Sequence, residues 1–128
     1  MARQWLIFSL LLFATQAWAD GPRLIIQRAP LAGFTYHAAG ALWSQLREGD
    51  ALTLVREAAN PHDNLAVRVD WQGQALGYLA RTDNGAVARA LDRGTVLQAR
   101  ISRLREHANP RQRIEVEVSA QLTQTPRP

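Results

Sequence analysis

Asn60-Pro61-His62-Asp63 sets an amide, an imidazole and a carboxylate side by side between two apolar runs. An Asn side chain carries both a donor and an acceptor, suited to a base edge or a phosphate. A carboxylate at Asp63 can accept a hydrogen bond from a sugar hydroxyl and repels a phosphate. His62 can stack or donate. Upstream, Tyr36 offers an aromatic face, which stacks on any base for about 1–3 kcal/mol. A second reading stands beside this one. Asn, Pro and Asp also build turns for purely local reasons, and Tyr36 is equally compatible with a partly buried barrel position. Arg100, Arg103, Arg105, Arg111 and Arg113 crowd one predicted hairpin. They line a phosphate groove or form a solvated strand face.

Catalytic signatures are absent. The chain has no G-x-x-x-x-G-K-[ST], no G-x-S-x-G and no H-E-x-x-H, so nucleotide hydrolysis, serine hydrolysis and zincin chemistry have no basis. His62 with Asp63 is too little for a nuclease, which needs several carboxylates around a metal. His37, His62 and His107 fall on three separate predicted loops, with no two at ligand spacing. No cofactor or metal is expected, and the chain reads as a binding protein rather than an enzyme.

The elements that position these groups are short. Arg23–Arg28 reads as a first strand. Ala41–Glu48 has Leu42 and Leu46 at i, i+4 and stops at Gly49, which predicts a short helix. Ala51–Glu57 alternates. In Leu65–Trp71, Leu65, Val67, Val69 and Trp71 point one way, with Ala66, Arg68 and Asp70 opposite. Gln72-Gly73 predicts a tight hairpin into Gln74–Leu79, where Gly77 marks a bulge or a close backbone approach. Residues 83–93 switch to helical period, with Val87, Ala90 and Leu91 on one face, Thr82 or Asp83 as cap and Gly94 as stop. Leu97, Ala99 and Ile101, then Ile114, Val116, Val118 and Ala120, restore a period of two around the turn 107–111. The class is mainly β with one or two short helices: a small antiparallel, OB-like β-barrel with one helix plugging an end.

Composition sets the compartment. Of 128 residues, 15 are Lys or Arg and all of these are Arg, against 11 Asp and Glu, for a net charge of +4. That surplus permits an anionic partner, and the planar guanidinium suits phosphates and bases. Cysteine is absent, which excludes disulfides, thiolate nucleophiles and Cys-type zinc sites. Arg3, the apolar run over residues 6–14 and Ala17-Trp18-Ala19 read as a signal peptide over residues 1–19. Cleavage after Ala19 leaves about 110 residues, enough for one modest core. The expected plan is a leader over 1–19, one domain over 20–122 and a tail over 123–128. The protein is expected to be exported, periplasmic or secreted, and free of the membrane after cleavage.

Four pieces in order carry a family resemblance: Gly33-Phe34-Thr35-Tyr36, the run from Arg56 through Asn60-Pro61-His62-Asp63 to Val67, then Gly77-Tyr78-Leu79, then a helix ending at Gly94. Together, over roughly residues 25–105, this set resembles the HIRAN domain, with its G-x-x-Y, R-E-P-x-N-P-x-D-x-N-A-[IV] and G-[YH]-[LI] segments. The resemblance implies a barrel related to the OB fold, often at the front of DNA-remodelling helicases, that clamps the 3′ end of single-stranded DNA. It implies that Tyr36 stacks on a terminal base and that Asn60, His62 and Asp63 hold the terminal nucleotide, Asp63 accepting from the 3′-hydroxyl. Arg56 matches the basic position before that loop. Ala58 replaces the first Pro of the pattern, Leu65 its second Asn, and Thr35 a common Arg. His37 follows Tyr36 where an aromatic is usual. The partners so implied are single-stranded nucleic-acid ends. A barrel of the same fold that binds a protein or envelope component is the alternative.

Overall fold

The computed structural model describes residues 22–122. The leader read over 1–19 and the tail over 123–128 lie outside the described residues. Six strands carry the fold: β1 (Arg23–Ala32), β2 (Ala51–Glu57), β3 (Ala66–Trp71), β4 (Gln74–Leu79), β5 (Leu97–Leu104) and β6 (Ile114–Gln121). They pair antiparallel throughout and close into a barrel in the order β1-β4-β3-β2-β5-β6. Two short helices, α1 (Ala39–Leu42) and α2 (Gly85–Asp92), complete it.

The period-two runs face inward as expected. Val67, Val69, Trp71, Ile101, Ile114, Val116 and Val118 are buried in one core with Leu31, Leu76 and Leu79. Burying each such side chain is worth about 1.5–3 kcal/mol, and without disulfides that packing holds the barrel. Gln72 and Gly73 both have positive φ, 47° and 77°, as a two-residue turn matching strand twist requires. α2 buries Val87, Ala88 and Ala90 against β2 and β3. Gly94, at φ 81°, closes the helix: its N–H reaches the Leu91 carbonyl and that of Thr95 reaches Ala90.

Three expectations change. β1 runs on past Arg28 to Ala32, through Pro30, because β1 meets β4 only at Leu31↔Leu79 and Ala32↔Tyr78. Proline is tolerated on a flank without a ladder partner. The helix predicted over Ala41–Glu48 is instead α1 followed by a 3₁₀ turn over Trp43–Gln45. Leu42 and Leu46 are both buried as their spacing required, but the Leu46 N–H is shared between the carbonyls of Leu42 and Trp43 at 3.2 and 3.3 Å. That tightening ends the helix early. Finally, the residue before α2 is Asn84, not Thr82 or Asp83, and its side chain does not cap the helix. Its amide is spent on Asp63, 2.7 Å away.

Candidate nucleic-acid interface

The loop between β2 and β3 is shaped by its own side chains. Asn60 Oδ1 accepts from the N–H groups of His62 (2.9 Å) and Asp63 (3.3 Å), while Nδ2 donates to Glu57 Oε1 at 3.1 Å. Asp63 Oδ1 accepts the Leu65 N–H at 2.9 Å and Oδ2 accepts Asn84 Nδ2. Asn84 is buried, so this bond ties the loop to the start of α2. Asn60 and Asp63 therefore build the turn that the local reading described. Arg81 donates to the His62 carbonyl at 2.7 Å and fixes the far side. The His62 ring is left exposed.

Arg56 works behind the loop. Its guanidinium pairs with Asp92 (3.0 and 3.2 Å) and donates to the carbonyls of Asn64 and Ala66. That commitment joins loop, β3 and α2, so Arg56 braces the site from outside the cleft.

Asn60, His62 and Asp63 line one cleft of about 400 Å³ together with His37, Tyr78 and Arg81. Ala32, Ala66 and Leu79 give it apolar walls. The rings of His37 and Tyr78 meet edge to face, centroids 5.4 Å apart. Tyr78 donates its hydroxyl to Glu57 at 2.8 Å, and Arg68 bridges Glu57 and Asp70. Burial first, then Glu57, pushes the Tyr78 phenol above its usual range and keeps it a donor. Tyr36 lies outside the lining, one residue from His37 at the end of a 3₁₀ turn (Phe34–Tyr36), and is 86% exposed. It is not a buried barrel residue. His37, Tyr78 and Arg81 were missing from the sequence-derived site. The G-Y-L piece pointed at Tyr78, and position 37 adjoined the stacking residue, but no local signal marked Arg81.

The arginines of the β5–β6 hairpin divide. Arg100 pairs with Glu117, Arg105 donates to Gln112, and Arg113 donates to the His107 carbonyl. Arg103 and Arg111 are exposed, and neither side chain has a partner among the described residues. Among those residues no group of three or more His, Asp or Glu side chains is placed to hold a metal ion.

Charge also fixes an acid limit. Burial would raise the Asp63, Glu57 and Glu117 carboxyl pKa values, yet all three lie below their ordinary range. Asp63 is held there by the Leu65 N–H first and then Asn84. For Glu57 the hydrogen bonds of Tyr78, Asn60 and Arg68 overcome burial. For Glu117 those of Arg100 and Arg28 do so. A carboxyl depressed in the folded state adds stability above its unfolded pKa, near 4. That contribution is lost as pH falls through this value and on through the folded one. The melting temperature should therefore hold steady from about pH 7 to 5 and decline below about pH 4.5. Melts of Glu117→Gln across the same range should decline less steeply, and an equal slope would remove Glu117 from the account.

Residues 26–123 match the HIRAN domain family. Among solved structures, a Lactobacillus plantarum protein superimposes with a TM-score of 0.67 at 28% identity, over 77% of this chain and 95% of that one. The HIRAN domain of human HLTF superimposes with a TM-score of 0.60 at 19% identity, over 79% of this chain and 80% of that one. No curated protein matches the sequence significantly.

Proposed function

This chain belongs to the HIRAN domain family, and from that membership we propose that it binds nucleic acid, holding the 3′-hydroxyl end of a single strand without catalysis. The observation that carries the reading is Tyr36, 86% exposed and next in the chain to His37, which lines a cleft where rings, a cation and a carboxylate converge. A terminal base stacks on Tyr36 and against the His37–Tyr78 edge. His62 packs against the sugar or base, and Arg81 meets the phosphate on its 5′ side. Asp63 faces the terminal hydroxyl. Each of its oxygens already accepts one hydrogen bond within the protein and keeps a second lone pair for the ligand. With a leader over residues 1–19, the strand ends it meets are extracytoplasmic ones.

A large exposed aromatic gives up little stability when removed, so Tyr36→Ala should leave the melting temperature unchanged. It should weaken binding of 3′-hydroxyl oligonucleotides by about 1–3 kcal/mol for every terminal base alike. Fluorescence anisotropy with labelled strands checks this. An unchanged affinity would take Tyr36 out of the site. A second reading rests on Leu24, Ile25 and Ile26, consecutive at the start of β1 and 55%, 43% and 39% exposed. They favour a protein or envelope partner on that side of the barrel. Wild-type protein that binds no oligonucleotide at low salt would move this reading to first place.

A further inference from the structure

We infer that a second cleft, lined by the first residue of the 3₁₀ turn that carries Tyr36, is a stacking station for a base farther along the same strand, with Trp43 as its platform. The inference rests on the nucleic-acid reading above and extends it. The cleft, about 590 Å³, is lined by Phe34, Gly40, Trp43, Glu106, His107 and Arg113, among others. Phe34 is buried and Trp43 half-buried. Their rings meet edge to face at 5.7 Å and 72°, so the core ring sets the orientation of the half-exposed one. Arg113 lies over the Phe34 ring at 4.8 Å, and its Nε donates to the His107 carbonyl at 2.8 Å. The guanidinium plane is thus fixed before any ligand arrives, which lowers the ordering cost of stacking or charge contact.

Position identifies the occupant. His37 lines the first cleft and Phe34 the second, with Tyr36 exposed between them on the same short turn. A ring at the start of the turn therefore lines one cleft, a ring just past its end lines the other, and the exposed ring of Tyr36 lies between them in the chain. Sequence-tolerant binding of single strands uses this arrangement, aromatic faces in succession beside cations. Glu106 lies in the second cleft and repels phosphate, so the cleft takes a base while the backbone stays outside. Arg103 and Arg111, exposed and without side-chain partners among the described residues, line a smaller hollow at the same hairpin with Arg105 and one carboxylate, Glu115. They are the cations available to phosphates leaving the second cleft.

Gly40 supplies a variant that blocks the cleft without deleting a packed ring. A Cβ built there meets only Phe34 Cε1, at an ordinary 3.7 Å, and Gly40 is exposed in the lining, so Gly40→Leu should crowd the cleft, with an unchanged melting temperature as the check on its fold. The probes are a thymidine dinucleotide and hexanucleotide, both with 3′-hydroxyl ends, titrated into the full chain. The hexanucleotide should bind about tenfold or more tighter than the dinucleotide. It alone should quench tryptophan fluorescence, and Trp43→Phe should remove that quench. Trp43→Ala and Gly40→Leu should each erase the length advantage and leave dinucleotide affinity unchanged. Dinucleotide binding with a length advantage that survives both variants would overturn the second station and leave the proposed function standing. Failure of the wild-type chain to bind either probe would overturn both.

Discussion

Gly77→Ala should destabilise the domain strongly, at a cost of about 3 kcal/mol or more. The β-carbon it introduces would sit 2.2 Å from the Ala32 carbonyl oxygen and 3.2 Å from Leu31 Cγ. A flexible side chain can move aside, but here the obstacle is backbone. Ala32 also belongs to the short seam, Leu31↔Leu79 and Ala32↔Tyr78, along which β1 pairs with β4. Relief of the clash therefore parts the two strands and opens the barrel beside the cleft. For a domain of this size the melting temperature should fall by roughly 10–20 °C, and binding should be lost with it. Gly73→Ala is the control. At φ 77° it has a positive torsion but nothing within 4 Å of a new Cβ, so it should cost only about 1 kcal/mol. Chemical denaturation of both variants provides the test. Equal losses would mean that backbone conformation, not the approach of β1, sets the demand for glycine at position 77.

The same glycine explains why Tyr78 was not legible as a site residue. Strict alternation along Gln74–Leu79 puts Tyr78 on the face of Leu76, and Leu76 is fully buried. The pairing of β3 with β4 slips between Val69↔Gly77 and Asp70↔Ala75. This bulge brings Leu76 and Leu79, three apart, to the same interior and turns Tyr78 out onto the cleft. The sequence marked the bulge at Gly77 but not its sense. On β3 and β6, which carry no extra residue at the slips of their partners, periodicity was enough: Val67, Val69, Val116 and Val118 are buried as alternation requires. The polar loop was legible in position but not in role. Asn60 and Asp63 are chemically suited both to a ligand and to a turn, and only the distances show their turn bonds. Arg56 resembled a ligand cation, and its pairing with Asp92, 36 residues away, has no local trace. Arg81 and His37 reach the cleft through the chain path after β4 and after the 3₁₀ turn, which no pattern in their neighbourhoods encodes.

Asp63 stands where stability and recognition meet, and two substitutions should separate them. Asp63→Ala removes acceptors from the Leu65 N–H and from Asn84. Asn84 is 2% exposed, so its amide would be left buried without a partner. Stranding a buried polar group costs about 1–3 kcal/mol, and the lost charged acceptor adds to that. A loss of about 2–4 kcal/mol should lower the melting temperature by about 10 °C or more. The loop would lose its tie to α2, so weaker binding by Asp63→Ala alone says nothing about ligand contact. Asp63→Asn keeps the shape. Its Oδ1 can still accept from Leu65, and an Asn84 turned about its last torsion can accept from the new Nδ2. This variant should melt within about 1 kcal/mol of wild type while losing the negative charge. If Asp63 faces the strand end, the wild type should prefer a 3′-hydroxyl to a 3′-phosphate, and Asp63→Asn should abolish that preference by gaining affinity for the phosphate form. A folded Asp63→Asn protein that discriminates as well as wild type would make Asp63 a brace for the loop and nothing more. Recognition of the end would then fall to His62, Tyr78 and Arg81.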